Sequence, residues 1–154
     1  MKYNRQNRNA LKNYFPLPNE IFSLGLYSGE ISVYAYLMYC EDRKTFQCHP
    51  SYKTIGRALK MSRNTVRKYI KGLEEKQLIS TEPTMISLKS GKKQNGNLLY
   101  TIRPIKEAVD YFNAQQLRKA ELETARLNAI RKLEEYDRKH SISGASRSSL
   151  FEAG

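Results

Sequence analysis

Arg63, Asn64 and Thr65 stand together directly after Ser62, and Arg67, Lys68 and Lys71 follow at helical spacing. A guanidinium offers a fork of donors that fits guanine O6 and N7. A carboxamide fits adenine N6 and N7, and a threonine meets a thymine methyl or a phosphate. On a 100° wheel with Val66 at 0°, Ile70 falls at about 40° and Leu73 at about −20°, while Asn64, Arg67, Lys68 and Lys71 fall at about 160°, 100°, 200° and 140°. A helix over residues 63–76 therefore turns an apolar stripe one way and a basic-polar stripe the other. Ser62 is placed to cap it, and the free backbone N–H groups of its first turn suit a phosphate.

The charge around this helix is one-sided. Residues 43–106 hold 15 Lys/Arg and 3 Asp/Glu, while the rest of the chain holds 12 of each, so the formal net charge of +12 resides in that central segment. Residues 50–73 contain no Asp or Glu. A helix that merely faces solvent usually mixes signs, because Glu-to-Lys pairs support it. A surface that meets a polyanion explains the confinement better.

Such a helix must be braced so that its basic face stays open. Upstream, Ser28 is placed to cap a helix over residues 29–41 with Ile31, Tyr34, Ala35, Leu37 and Met38 inward. Ser51 is placed to cap a shorter helix over residues 52–60 with Ile55, Ala58 and Leu59 inward, and Met61-Ser62 forms a tight turn. Downstream, residues 77–80 lead into a strand, Ile86 and Leu88 alternate with polar residues, and residues 98–103 alternate again. The last two segments read as a β-hairpin joined by a basic loop over residues 91–97. Helix, helix, tight turn, helix, hairpin is the order of a winged helix. The expected fold is mainly α with a small β-hairpin: a winged helix-turn-helix over residues 16–104, then one long C-terminal helix over 105–139, where neither Gly nor Pro interrupts the chain. Residues 1–15 read as a flexible basic arm and residues 140–154 as a disordered tail.

The run from Pro50-Ser51-Tyr52-Lys53-Thr54 through Ser62-Arg63-Asn64-Thr65-Val66-Arg67, with Leu73 and then Leu78-Ile79, resembles the winged helix-turn-helix of the GntR/MarR-like superfamily. Within it, the likeness is to small helix-turn-helix proteins of plasmids, phages and other mobile elements, and it covers about residues 28–103. The chain departs from that pattern at His49, where an aromatic often precedes Pro-Ser. The resemblance implies double-stranded DNA as the partner. By position it implies contacts from Lys53 and Thr54 at the start of the second helix. It implies base and phosphate contacts from Arg63, Asn64, Thr65 and Arg67, with Lys68 and Lys71 beside them. From the wing, Lys89, Lys92, Lys93, Gln94 and Asn97, it implies a minor-groove or backbone contact. The function expected is sequence-specific transcription regulation. Two alternatives stay open: a replication-initiation or transfer accessory of a mobile element, and a winged helix that meets an acidic protein.

Other chemistries lack parts. Cys40, Cys48 and His49 do not make the paired spacing of a structural zinc site. With two histidines, no Ser-His-Asp arrangement and no phosphate-cradling glycine loop, neither catalysis nor a cofactor is expected. Tyr34, Tyr36 and Tyr39 read as packing residues. No run approaches 18 apolar residues, and the N-terminus lacks a secretory apolar region, so no membrane partner and a cytoplasmic location are expected. The apolar residues of the 105–139 helix keep no clean heptad. Ile105, Val109 and Phe112 are suited to pack back on the core, and the stretch beyond Leu117 is where a homodimer would form.

Overall fold

The computed structural model describes residues 14–152, with side chains described as far as residue 141. Most of the arm expected over residues 1–15 therefore lies outside the described residues, as does the end of the expected tail.

A 3₁₀ turn, Asn19–Ser23, precedes three helices: α1 (Ser28–Cys40), α2 (Tyr52–Leu59) and α3 (Arg63–Glu75). Both later helices start as their serines predict. Ser51 Oγ accepts from the Thr54 N–H at 3.1 Å, and Ser62 Oγ accepts from the Thr65 N–H at 3.2 Å. Between them Lys60 adopts a left-handed conformation with φ 55°, and the Met61 N–H reaches back to the Gly56 carbonyl at 2.9 Å. At the far end of α3, Gln77 is left-handed with φ 65°. The Gln77 N–H bonds the Glu74 carbonyl and the Leu78 N–H bonds the Leu73 carbonyl, so the helix ends in a Schellman motif without a glycine.

The start of α1 differs from expectation. Ser28 is its first helical residue rather than its cap, and Glu30 Oε1 reaches back to accept the Tyr27 N–H at 2.9 Å. The stripe of α1 is centred on Val33, Tyr34 and Leu37, all buried, while Ile31, Ala35 and Met38 are half-buried. On α2, Ile55 is buried as expected, but Ala58 is exposed and Gly56 is buried in its place. Gly56 is the contact point of the turn: a Cβ there would run into the Met61 carbonyl oxygen.

The core joins these helices to a three-stranded antiparallel sheet of order β1-β5-β2, formed by β1 (Gln47–Cys48), β5 (Leu99–Ile102) and β2 (Ile79–Glu82). Ile79 pairs with Ile102 and Glu82 with Leu99. Val66, Ile70 and Leu73 from α3 meet Ile55, Val33, Leu37, Leu78, Ile79 and Tyr100 in one buried cluster.

The hairpin is not the one the alternation suggested. The segment around Ile86 does not pair with residues 98–103. Instead β3 (Met85–Ser87) pairs with β4 (Lys93–Asn95), Ile86 opposite Gln94. The turn closes early because Gly91 adopts φ 79°, with the Leu88 N–H bonding the Lys92 carbonyl at 2.9 Å. Residues 98–103 are drawn away because Tyr100 is wholly buried, and β2, following α3 directly, supplies a partner at the core.

The long helix α4 runs Ile105–Glu152, past the expected end at residue 139. No proline follows Pro104, and each added residue gains a backbone bond without a new nucleation cost. The chain divides into two units, the first ending at Phe112 and the second beginning at Asn113. Within the first, Ala108 is buried, and Ile105, Val109 and Phe112 pack against the core as expected. Within the second, Leu117, Leu122, Leu127, Leu133 and Tyr136 are exposed.

Two outcomes check this packing. Gly56→Ala should destabilise by about 1–3 kcal/mol in urea unfolding, because the added methyl meets backbone rather than a side chain that can move. A neutral substitution would mean that the α2–α3 turn is not closed as described. The second is alkaline. Burial pushes the Cys48 thiol from its ordinary 9.0 up to about 12. Burial, with the charge of Glu41 adding, pushes the Tyr34 phenol from 10.0 up to about 12. Tyr100 is pushed up by burial and then by Tyr52. The unfolded chain releases these protons first, so it binds fewer protons and stability falls as pH rises. The unfolding midpoint should hold to about pH 9 and drop between about pH 9 and 12, and a flat midpoint through that window would contradict the burial of these groups.

Candidate nucleic-acid interface

The outward face of α3 is open. Arg63, Asn64, Arg67, Lys68 and Lys71 are exposed, and Val66, Ile70 and Leu73 lie opposite them in the core. Among the described residues the ion pairs are Lys76 with Glu30, Arg103 with Glu107, and Arg126 with Glu123. None uses a cation from the outer face of α3, from α2 or from the β3–β4 hairpin, so no ion pair among the described residues neutralises a cation of this surface. Lys68 Nζ lies 5.8 Å from the centre of the Tyr69 ring, which steadies it without neutralising it.

The two threonines are engaged. Thr54 Oγ1 lies 2.9 Å from Ser51 Oγ and Thr65 Oγ1 lies 2.8 Å from Ser62 Oγ. Their hydroxyls complete the caps of α2 and α3, and the Thr65 N–H is used there as well. What they have left to present is the methyl group and the hydroxyl's remaining hydrogen-bonding capacity. Lys53 is exposed in the first turn of α2.

The hairpin and the helices meet in a groove. Arg63 lines it from α3, Ser51 and Tyr52 from the start of α2, and Gln94, Asn95 and Asn97 from the hairpin. Tyr100 contributes a wholly buried side chain whose hydroxyl has no hydrogen-bond partner among the described residues. The structure thus brings Arg63 together with carboxamides of the hairpin, not with its lysines. Lys89 and Lys92 sit in the turn at the hairpin tip and Lys93 opens β4, all three exposed. Tyr52 is the member that the sequence did not single out. Its position directly after the Ser51 cap was the available signal, since a residue there must flank whatever approaches the start of α2.

Cys48 is buried, with Sγ 3.6 Å from the Leu37 carbonyl, and Cys40 is half-buried. Among the described residues no group of three or more His, Cys, Asp or Glu is arranged to hold a metal ion. No described helix is long and apolar enough to cross a membrane. Arg103 is structural: it bonds Glu107 Oε2 at 2.6 Å and also Gln77 Oε1.

A helix-turn-helix domain family matches residues 24–79, which is roughly a third of the chain and contains α1, α2 and α3. The fold is a winged helix-turn-helix followed by a long helix. A possible transcriptional regulator from Methanosarcina mazei Go1 is similar in structure, with a TM-score of 0.47 and 18% identity over 70% of this chain and 81% of that one. A MarR family transcription regulator gives a TM-score of 0.40 and 14% identity over 81% of this chain and 78% of that one. The YusO protein from Bacillus subtilis gives 0.36 and 15% over 71% and 77%. Comparison with curated proteins gives no match.

Proposed function

We propose that this helix-turn-helix chain is a sequence-specific double-stranded DNA-binding protein that regulates transcription. α3 enters the major groove, and the β3–β4 hairpin follows the backbone as a wing. One observation carries the reading: a helix anchored by three core residues holds five exposed basic or amide side chains outward, and among the described residues none of its outward cations is in an ion pair.

The roles follow from position. Arg63 and Asn64 occupy the first turn of α3, the part of such a helix that reaches base edges. Arg67, Lys68 and Lys71 lie farther along the same face and meet phosphates or further bases. Thr65, with its hydroxyl held by the cap, offers its methyl to a thymine. Lys53 and Thr54 at the start of α2 fit a phosphate, as do Lys89, Lys92 and Lys93 on the wing. The groove lined by Arg63, Tyr52, Gln94 and Asn97 lies where one DNA strand would pass between helix and wing. The exposed leucines of α4 beyond Phe112 offer a second copy a place to pair, and two copies would read two half-sites.

Selection of bound duplexes by the purified protein tests the reading directly. It should enrich one site, and recovery of no preferred sequence would reduce the function to general polyanion binding. On the enriched site, Arg63→Ala should cost about 1–3 kcal/mol and relax preference at one base pair. An equal loss on every sequence would make Arg63 a phosphate contact. Replacing Lys92 and Lys93 together with Ala should reduce the slope of log K against log salt by roughly two units, since each phosphate contact releases about 0.9 of a counterion. An unchanged slope would take the wing off the DNA.

A further inference from the structure

The β3–β4 hairpin carries apolar side chains that its own fold does not use. Met85, Ile86 and Leu88 are 59%, 53% and 44% exposed, and neither strand buries a residue. Cross-strand pairing does not explain them. Met85 stands opposite Asn95, Ile86 stands opposite Gln94, and the Leu88 N–H bonds the Lys92 carbonyl, so each apolar residue faces a polar one. Ile86 does have a contact, since a Cβ at Gly96 would run into its side chain. Leu88 lies nearer the tip and does not pack against the buried cluster.

The direction of Leu88 follows from the register. Ile86 and Gln94 line the groove that Arg63 lines from α3. Side chains two apart on a strand share a face, so Leu88 stands on the face of Ile86, about 7 Å farther toward the tip. Its neighbours are Lys89, Lys92 and Lys93, all exposed, and residues 83–97 contain no Asp or Glu. A leucine among three lysines suits a partner that is anionic at its edges and apolar within. A duplex is such a partner, with phosphates along each groove and sugar carbons and stacked base faces inside. A second copy of this chain is not. Two such tips brought together across a two-fold axis would oppose lysine with lysine. Three side chains also cover far less than the roughly 1,200 Å² at which specific protein interfaces begin.

We propose that Leu88 is a wedge that enters the minor groove and pushes partly between two stacked base pairs, while the lysines beside it hold the flanking phosphates. The inference rests on the DNA-binding reading above and adds a deformation to it. With α3 in the major groove, a hairpin set across one strand from it meets the adjacent minor groove. An apolar side chain inserted there unstacks the step and kinks the duplex toward the major groove. Pyrimidine–purine steps yield most readily, so Leu88 selects a step without a hydrogen bond to any base.

The probe is the duplex enriched by selection, with 2-aminopurine, which brightens when unstacked, placed in turn at each adenine of the site and its flanks. A fluorophore pair at the duplex ends reports bending. At saturating protein one position should brighten, and the ends should approach as for a bend of about 20° or more. Leu88→Ala should leave that position dark and the duplex straight, and Leu88→Met, still apolar and long, should restore both. Leu88→Lys, which adds a charge and removes the wedge, should behave as the alanine variant does. Leu88 lies outside the core, so an unchanged urea midpoint in each variant separates lost insertion from lost fold. A preferred duplex bound straight and dark at every position, or a bend kept in Leu88→Ala, would overturn the wedge and leave the DNA-binding reading standing. Enrichment of no duplex would overturn both. A free chain that sediments as a dimer and falls to a monomer in Leu88→Ala would also overturn it, by assigning this face to a second copy.

Discussion

The orientation of α3 depends on how closely α1 approaches it, and two glycines permit that approach. A Cβ at Gly29 would strike the Tyr69 ring of α3, and a Cβ at Gly72 would strike Glu30 Oε2 of α1. The two contacts are reciprocal, one glycine on each helix receiving a side chain from the other. Into this narrow seam the fold inserts Glu30, only 1% exposed. Its Oε1 accepts the Tyr27 N–H and meets Lys76 Nζ at 2.7 Å, and Lys76 also lies 4.9 Å from the Tyr27 ring centre. A buried pair of this kind adds little net stability, because desolvation offsets most of the attraction. What it fixes is geometry. Lys76 caps the end of α3, so the pair ties the last turn of α3 to the first turn of α1.

With that end held, the other end is set by the α2–α3 turn, where buried Gly56 accepts the Met61 N–H and Ser62 caps the new helix. Both anchors act on the inner side of α3. Nothing among the described residues needs its outer side, so the sequence is free to fill that side with donors and cations. In most amphipathic helices a charged face only keeps the helix in water. Here no acid stands between Arg63 and Leu73, and among the described residues no ion pair relieves the repulsion among the neighbouring cations. A polyanionic partner, as proposed, would compensate it. The same logic fits the hairpin, whose strands β3 and β4 bury no residue and have no packing reason to exist.

This division between buried and unburied surface also decides what could be read from sequence. The helices, both serine caps and the inner stripe of α3 were legible because each rests on local periodicity or a local hydrogen bond. The open basic face was legible for the complementary reason, as a run without acids. The strand pairing was not. Alternation at residues 98–103 marked a strand correctly, but alternation does not name the neighbour. With β3 and β4 exposed throughout, no burial pattern pinned their register, which is set by the left-handed Gly91. The Ser28 cap failed because Glu30 reaches back to the Tyr27 N–H and so starts the helix one residue earlier, with Tyr27 at the cap position, and Ala58 was displaced by Gly56 because the turn leaves no room for a methyl. The groove that Tyr52 lines depends on segments distant in sequence, such as residues 63 and 94, so no local pattern could announce it.

The long helix shows the opposite balance. Up to Phe112, α4 is held by tertiary contact, with Ala108 buried and Val109 and Phe112 against the core. Beyond it, the helix rests on intrinsic propensity, since the sequence is dense in Ala, Leu, Glu, Lys and Arg. Among the described residues its ion pair there, Arg126 with Glu123 at 3.9 Å, is exposed and contributes little. Leu117, Leu122 and Leu127 recur at intervals of five, which carries each about 140° around the axis from the last. Leu127, Ile130, Leu133 and Tyr136 then recur at intervals of three, which drifts about 60° the other way at each step. Neither spacing keeps a seam facing one partner over several heptads, so a long two-stranded coiled coil is not what this helix encodes. If two copies pair through it, the contact must be short and centred where Leu122, Leu133 and Tyr136 come nearest to sharing a face.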